Sequence, residues 1–172
     1  MSNISLQFLG DFILGGVFGV VQWLVLWAYF GRLNLLWAPV SFFGWFVGIN
    51  VILFLVLPLV GPGLGALAGR HEALAYNLVL EPVRYAALGL AQWLLLRSYL
   101  HRAGWWVPAS AVGGLLGTTA AMGLSYAGAP ATFVYAGVPG LIYGAITGAA
   151  LVWLLGYERS LNDIHDTTAP LH

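Results

Sequence analysis

Apolar stretches of about 20 residues or more, separated by short polar or glycine-rich joints, decide most of what this chain can fold into. They cover roughly residues 7–30, 37–60, 76–100, 105–127 and 132–156. A helix needs about 20 residues to cross a ~30 Å hydrocarbon core. Inside lipid the backbone must satisfy its own hydrogen bonds, which leaves helices or closed barrels. The stretches show no strand alternation and are too long for barrel strands, so helices are expected. Only 7% of the residues are charged and 60% are hydrophobic, with a mean hydropathy of +0.88. A soluble domain carries about a quarter charged residues, so there is too little polar material to cover a water-facing surface. The expected fold is an all-α integral membrane protein: five transmembrane helices in a single bundle over 1–156, then a polar C-terminal tail over 157–172 that is expected to be mobile.

The joints Gly31–Leu36, His101–Gly104 and Gly128–Ala131 are short enough to hold neighbouring helices antiparallel. The joint Gly61–Ala75 is longer, and its Gly61, Pro62, Gly63 and Gly65 argue against a continuing helix. Beyond it, Arg70–Leu80 fits either an interfacial turn or the first part of a long third helix. Pro82 then serves as an early helical residue or a kink.

Comparing the chain with itself reveals a duplication. At an offset of 70 residues, Asp11, Gly19, Gln22, Trp23, Leu26 and Arg32 meet Glu81, Gly89, Gln92, Trp93, Leu96 and Arg102. One residue is dropped in the turn. Trp37, Pro39, Ser41, Gly44 and Gly48 then meet Trp106, Pro108, Ser110, Gly113 and Gly117. Leucine matches leucine often in an apolar chain, but Gln-Trp, Arg, Pro, Ser and two Gly do not recur in order by composition. The fifth stretch reads as a degenerate third copy of the first: Thr147 stands where Gln22 would be, and Ala136 where the acid would be. The plan is therefore two tandem direct-repeat hairpins (about 4–60 and 74–127) and a half repeat (132–156).

Arg32, Arg97, Arg102 and Arg159 fall at the ends of the first, third and fifth spans, against Arg70 and Arg84 on the opposite side. The excess of basic residues predicts a cytoplasmic C-terminus and an outward N-terminus, as in a bacterial inner-membrane protein. Asp11 interrupts what would be a signal peptide's apolar region, so the first span is expected to be retained. Net charge is zero, which gives no reason to expect nucleic acid, and cysteine is absent, which removes disulfides and thiolate sites. His71, His101, His165 and His172 all fall in joints or tail, so no bis-histidine haem is expected between the helices. There is no metal-ligand spacing, no Ser–His–Asp arrangement supported by position and no phosphate-cradling loop. No catalytic residue, metal or cofactor is assigned.

Ionisable groups inside a span are functional candidates by default. Asp11 and Glu81 hold matched positions, and Arg84 lies three residues after Glu81, where the two can neutralise each other on one helix face. The plainer reading places both acids near helix N-termini, favoured by the macrodipole. Gln22 and Gln92 lie deeper, about 13 Å from the cytoplasmic helix ends, with Ser41 and Ser110 on the paired helices as their expected partners. Small residues four apart mark packing seams: Gly15 and Gly19, Gly44 and Gly48, Ala87 and Ala91, Gly113 and Gly117, and Gly140, Gly144 and Gly148. Lacking a hairpin partner, the fifth span offers the seam best suited to a second membrane protein. Trp37, Trp105 and Trp106 read as interfacial anchors, and Trp93 and Arg97 as a cation–π pair. Arg97, His101 and Arg102 form a candidate contact for a lipid headgroup.

The stretches Gly89-Leu-Ala-Gln-Trp-Leu-Leu-Leu-Arg97, Ala103-Gly-Trp-Trp-Val107 and Tyr143–Leu155 resemble those of small bacterial multi-pass membrane proteins with repeated Gly-x-x-Gln-Trp-x-x-Leu-Arg and Trp-Trp motifs. The first copy departs from that pattern, with Trp27 at the usual Arg and only Leu36-Trp37 left of the double Trp. The resemblance implies membrane location and a repeat fold, and it carries no activity. Three functions are open to the sequence. The leading one is a non-enzymatic accessory or structural subunit of a larger membrane complex. The alternatives are a small transporter or channel using Asp11, Glu81 and the two Gln, and a membrane enzyme acting on a lipid or isoprenoid.

Overall fold

The computed structural model describes residues 20, 22–24, 26–28, 36–68 and 72–168, and all regular structure among them is helical. The described residues from 20 to 28 are helical and belong to the first span. The second span is one rod in three parts: α1 (Trp37–Val51), a π-helical turn (Ile52–Val56) and α2 (Leu57–Ala68). There follow α3 (Glu72–Leu96), a 3₁₀ turn (Ala103–Trp105), α4 (Trp106–Tyr126) and α5 (Ala131–Thr168). Trp37–Leu64, Ala103–Tyr126 and Gly137–Ser160 are long and apolar enough to cross a membrane. By length and composition, the chain is a helical membrane protein. The helix α3 is 25 residues long but is not one of these three; Glu72, Glu81, Arg84 and Gln92 lower its hydropathy.

Two expectations about helix ends are corrected. The second span does not stop at Gly61 but stays helical through Pro62 and Gly63 to Ala68. In an apolar setting a broken backbone has no water to turn to, so helix is retained and local widening absorbs the disruption. Pro58 has no N–H, and its ring would press on the Phe54 carbonyl. The π-helical turn sits immediately before it, with the Leu57 N–H reaching back to the Ile52 carbonyl. The Tyr76 hydroxyl donates to the Gly61 carbonyl at 3.0 Å, tying the rod to α3. Of the two readings of Arg70–Leu80, the long third helix is the one observed, starting at Glu72 with Pro82 inside. The second correction is at the C-terminus, where α5 runs on to Thr168 through most of the expected tail. The Arg102 guanidinium lies 4.0 Å from the Tyr157 ring centroid, and Glu158 accepts the His101 backbone N–H and pairs with its Nδ1 at 2.9 Å.

The rod packs on α3, α3 on α4, and α4 on α5. Small residues set the seams. A Cβ on Gly44 would stand 2.6 Å from the Ala91 Cβ, and one on Gly48 2.8 Å from the Arg84 carbonyl oxygen. Along α4, a Cβ on Gly113 would meet Tyr143 at 3.2 Å, and one on Gly117 the Pro139 carbonyl oxygen at 2.7 Å. On the other flank of α4, a Cβ on Gly114 would lie 1.9 Å from the Tyr85 ring, while Gly89 of α3 faces Ser110. Backbones approach this closely only where side chains are missing.

The main apolar core gathers where α3 ends and α4 begins, built on Leu26, Trp37, Leu96, Leu100, Trp106, Leu151 and Leu154. Here the expected role of two tryptophans changes. Trp37 and Trp106 are fully buried and meet edge to face at 6.0 Å, so they are core residues rather than anchors. Adjacent helical residues point about 100° apart, so a Trp-Trp pair sends one ring inward and one outward. Trp105 is the outward one, 60% exposed and 6.3 Å from Trp153. Phe43, Phe46, Phe54, Leu59, Leu141 and Val152 are also exposed, as a surface facing lipid requires.

Candidate functional site

Three residues that the self-comparison of the sequence aligns, Gln22, Gln92 and Thr147, meet inside the bundle. Gln22 Nε2 donates to Thr147 Oγ1 at 3.2 Å, and Gln92 Nε2 approaches Gln22 Oε1 at 3.5 Å. Gln92 is almost fully buried and uses both ends of its carboxamide. Its Nε2 donates to Ser41 Oγ at 2.9 Å, and its Oε1 accepts the Trp106 indole N–H at 2.8 Å. The serine partners therefore differ from those expected. Ser41 serves Gln92 rather than Gln22, and Ser110, against Gly89, accepts from the Tyr143 hydroxyl at 3.4 Å. Thr147 returns its own hydroxyl to the Tyr143 carbonyl at 2.7 Å. The buried Trp37, matched to Trp106, has no hydrogen-bond partner for its N–H among the described residues. One helical turn away, Leu26, Leu96 and Leu151 close the layer on its other side. Because α3 ends at Leu96, Gln92 lies only about 6 Å from the helix end, nearer the interface than the spacing to residue 100 implied.

The second polar group is the Glu81–Arg84 ion pair, formed one turn apart on α3. The guanidinium also lies 4.4 Å from the Trp45 ring centroid and 5.1 Å from that of Tyr85. Tyr85 in turn packs on Trp45 at 5.4 Å and on Tyr143 at 5.0 Å. Gly48, level with the Arg84 backbone, is 11 residues into its span from Trp37. That is about 16 Å, the middle of a ~30 Å core. The pair is neutral overall and capped by aromatic faces, a favourable way to hold a cation in a low-dielectric setting.

At the turn after α3, the three headgroup candidates separate into different roles. His101 is held by Glu158, Arg102 covers Tyr157, and Arg97 lies 5.5 Å from the Trp93 ring centroid. Seventy positions earlier, Trp23 and Trp27 stack at 6.3 Å, so a second ring stands there in place of the cation.

Gly144 and Gly148 of α5 differ from the glycines of the seams. A Cβ on Gly144 or Gly148 would have no described atom within 4 Å. Together with Gly140, Thr147, Leu151, Gln22, Leu26 and Trp106 they line an open groove of about 290 Å³. Its walls are apolar apart from Gln22 and Thr147, and no described acid or histidine lines it. Among the described residues no group of three His, Asp or Glu could hold a metal ion. Asp11, Gly15 and Gly19 lie outside the described residues. Thr147 and Tyr143 were not singled out from sequence as site residues, although Thr147 stands at the Gln register. Trp45, Tyr85 and Glu158 carried no such signal.

Set against known proteins, the chain matches no family model, no curated protein and no solved structure.

Proposed function

We propose that this chain is a five-span membrane protein, two direct-repeat hairpins plus an unpaired fifth helix, acting as a non-enzymatic subunit that packs with a partner membrane protein. The register of the seams supports the repeat. Gly44 and Gly48 seat against Leu88, Ala91 and Arg84, while Gly113 and Gly117 seat against Tyr143, Ile146 and Pro139, the matched positions on α5. The resemblance to small bacterial multi-pass proteins agrees with a bacterial inner-membrane location, and the Arg distribution with a cytoplasmic C-terminus.

The observation that carries the subunit reading is the open glycine face of α5 beside Gln22 and Thr147. By contrast, Gly44, Gly48, Gly89, Gly113, Gly114 and Gly117 each meet another helix. The polar groups favour packing over chemistry: the Gln layer bonds within itself, and Glu81 is closed on Arg84. The groove offers no described acid, base or nucleophile–base pair to a substrate. The test is the mass of the native particle after mild solubilisation from its own membrane. A second polypeptide in fixed stoichiometry is expected; a stable lone monomer would count against the reading.

A further inference from the structure

Resting on that reading, we infer that the groove between α5 and the first span, open among the described residues, is the seat of a sixth helix. Its occupant is a transmembrane helix of a different polypeptide, running in the direction of α1 and α4 and carrying small residues on the docking face. The register of the bundle defines the seat. The helix α4 has two flanks: one meets α5, and the other lies on α3 at Gly89 and Tyr85. The shift that carries Gln92 to Thr147 and Leu96 to Leu151 carries Gly89 to Gly144 and Tyr85 to Gly140. Both of those residues line the groove. The surface on α5 is therefore the continuation of the interface that α3 already makes with α4, without its helix.

The centre of the bundle points the same way. The first span, α3 and α5 meet at Gln22, Gln92 and Thr147. The rod and α4 each bring one buried tryptophan to that level, Trp37 and Trp106. Among the described residues no third helix brings a buried tryptophan there, and the groove reaches in as far as Trp106. A helix like α4 would set an aromatic residue there and place its small residues over Gly144 and Gly148. A second copy of this chain is poorly suited, because both of its helices of this pattern are already seated in its own bundle. An acyl chain has no donor for Gln22 or Thr147 and no backbone to approach the glycines closely.

The test uses the full chain in lipid nanodiscs and a fluorescent synthetic peptide of residues 103–126 as the probe helix, read by energy transfer. Saturable one-to-one binding is expected. Gly144→Leu should weaken it at least about tenfold, with helicity and unfolding temperature unchanged because no described atom lies within 4 Å of the added Cβ. A peptide carrying Gly114→Leu and Gly117→Leu should lose binding similarly, which decides the matter if Gly144→Leu fails to fold. Absent binding, or binding indifferent to these changes, overturns the seat. So does a wild-type homodimer that Gly144→Leu converts to monomer, since that makes a second copy the occupant. A native partner that co-purifies equally with Gly144→Leu also overturns the seat and leaves the subunit reading standing. Glycine-dependent peptide binding by a chain isolated as a lone monomer would support the seat while sinking that reading.

Discussion

Arg84 is the residue whose position most needs its neighbours. Near the middle of a membrane a bare guanidinium costs several kcal/mol, and here the Glu81 carboxylate and the Trp45 ring share the work of holding it. The stability of the pair lies in its joint presence, because removing one partner leaves a charge in a low-dielectric setting. Arg84→Gln alone should destabilise the bundle by about 3–5 kcal/mol. The double variant with Glu81→Gln should lose less than that single change. Reversible unfolding in mixed micelles measures both, and a double variant worse than Arg84→Gln would mean that the two charges act separately. The i, i+3 spacing made this pair legible in the sequence. Trp45 and Tyr85 were not legible, because they reach Arg84 through packing that depends on Gly48 and Gly114. The Gln pair divides in the same way. Their burial followed from depth in the spans, but Ser41 crosses to Gln92 because the rod packs on α3, and no local signal records that choice.

At the scale of elements, apolar run length located the helices and misjudged two of their ends. Proline and glycine are strong punctuation in water, where a freed carbonyl finds solvent. In lipid that alternative is missing, so the rod passes Pro58 and Pro62 with a single π-helical turn. The end of α5 was missed for a different reason. Polarity after Tyr157 suggests a tail, but His101 and Arg102 from the turn after α3 hold Glu158 and Tyr157 in helical register. Such a contact joins residues 57 positions apart and is invisible to local pattern. Glu158→Ala should therefore loosen the last turns of α5 and leave the core intact. Backbone hydrogen exchange after residue 156 should rise about tenfold or more, equivalent to roughly 1.4 kcal/mol of lost local protection, with α4 unchanged. Equal exchange in both proteins would show that the extension stands without this contact.

For the molecule as a whole, the decisive question is whether α3 crosses the membrane with its neighbours. The helix is 25 residues long, about 37 Å at 1.5 Å per residue, and it packs along both the rod and α4. Its polar residues are turned onto one another or onto other helices: Glu81 onto Arg84, Gln92 onto Ser41 and Trp106, and Asn77 onto Thr119 at 3.3 Å. A hydropathy average counts these residues as solvent-seeking, although their polar atoms are largely satisfied inside the bundle. The chain has no cysteine, so an introduced one is the sole thiol that a reagent can find. Leu36, Gly104, Ala127 and Ser160 are exposed at or beside the ends of the apolar spans and suit this substitution. With α3 as a crossing helix, cysteines at 36, 104 and 160 share the cytoplasmic side and one at 127 faces out. With α3 held on one side and only Trp37–Leu64, Ala103–Tyr126 and Gly137–Ser160 crossing, position 36 joins 127 instead. A membrane-impermeant maleimide applied to intact cells should therefore label Ala127→Cys alone. The other three should react only after the membrane is opened, and labelling of Leu36→Cys together with Ala127→Cys would show that α3 does not cross.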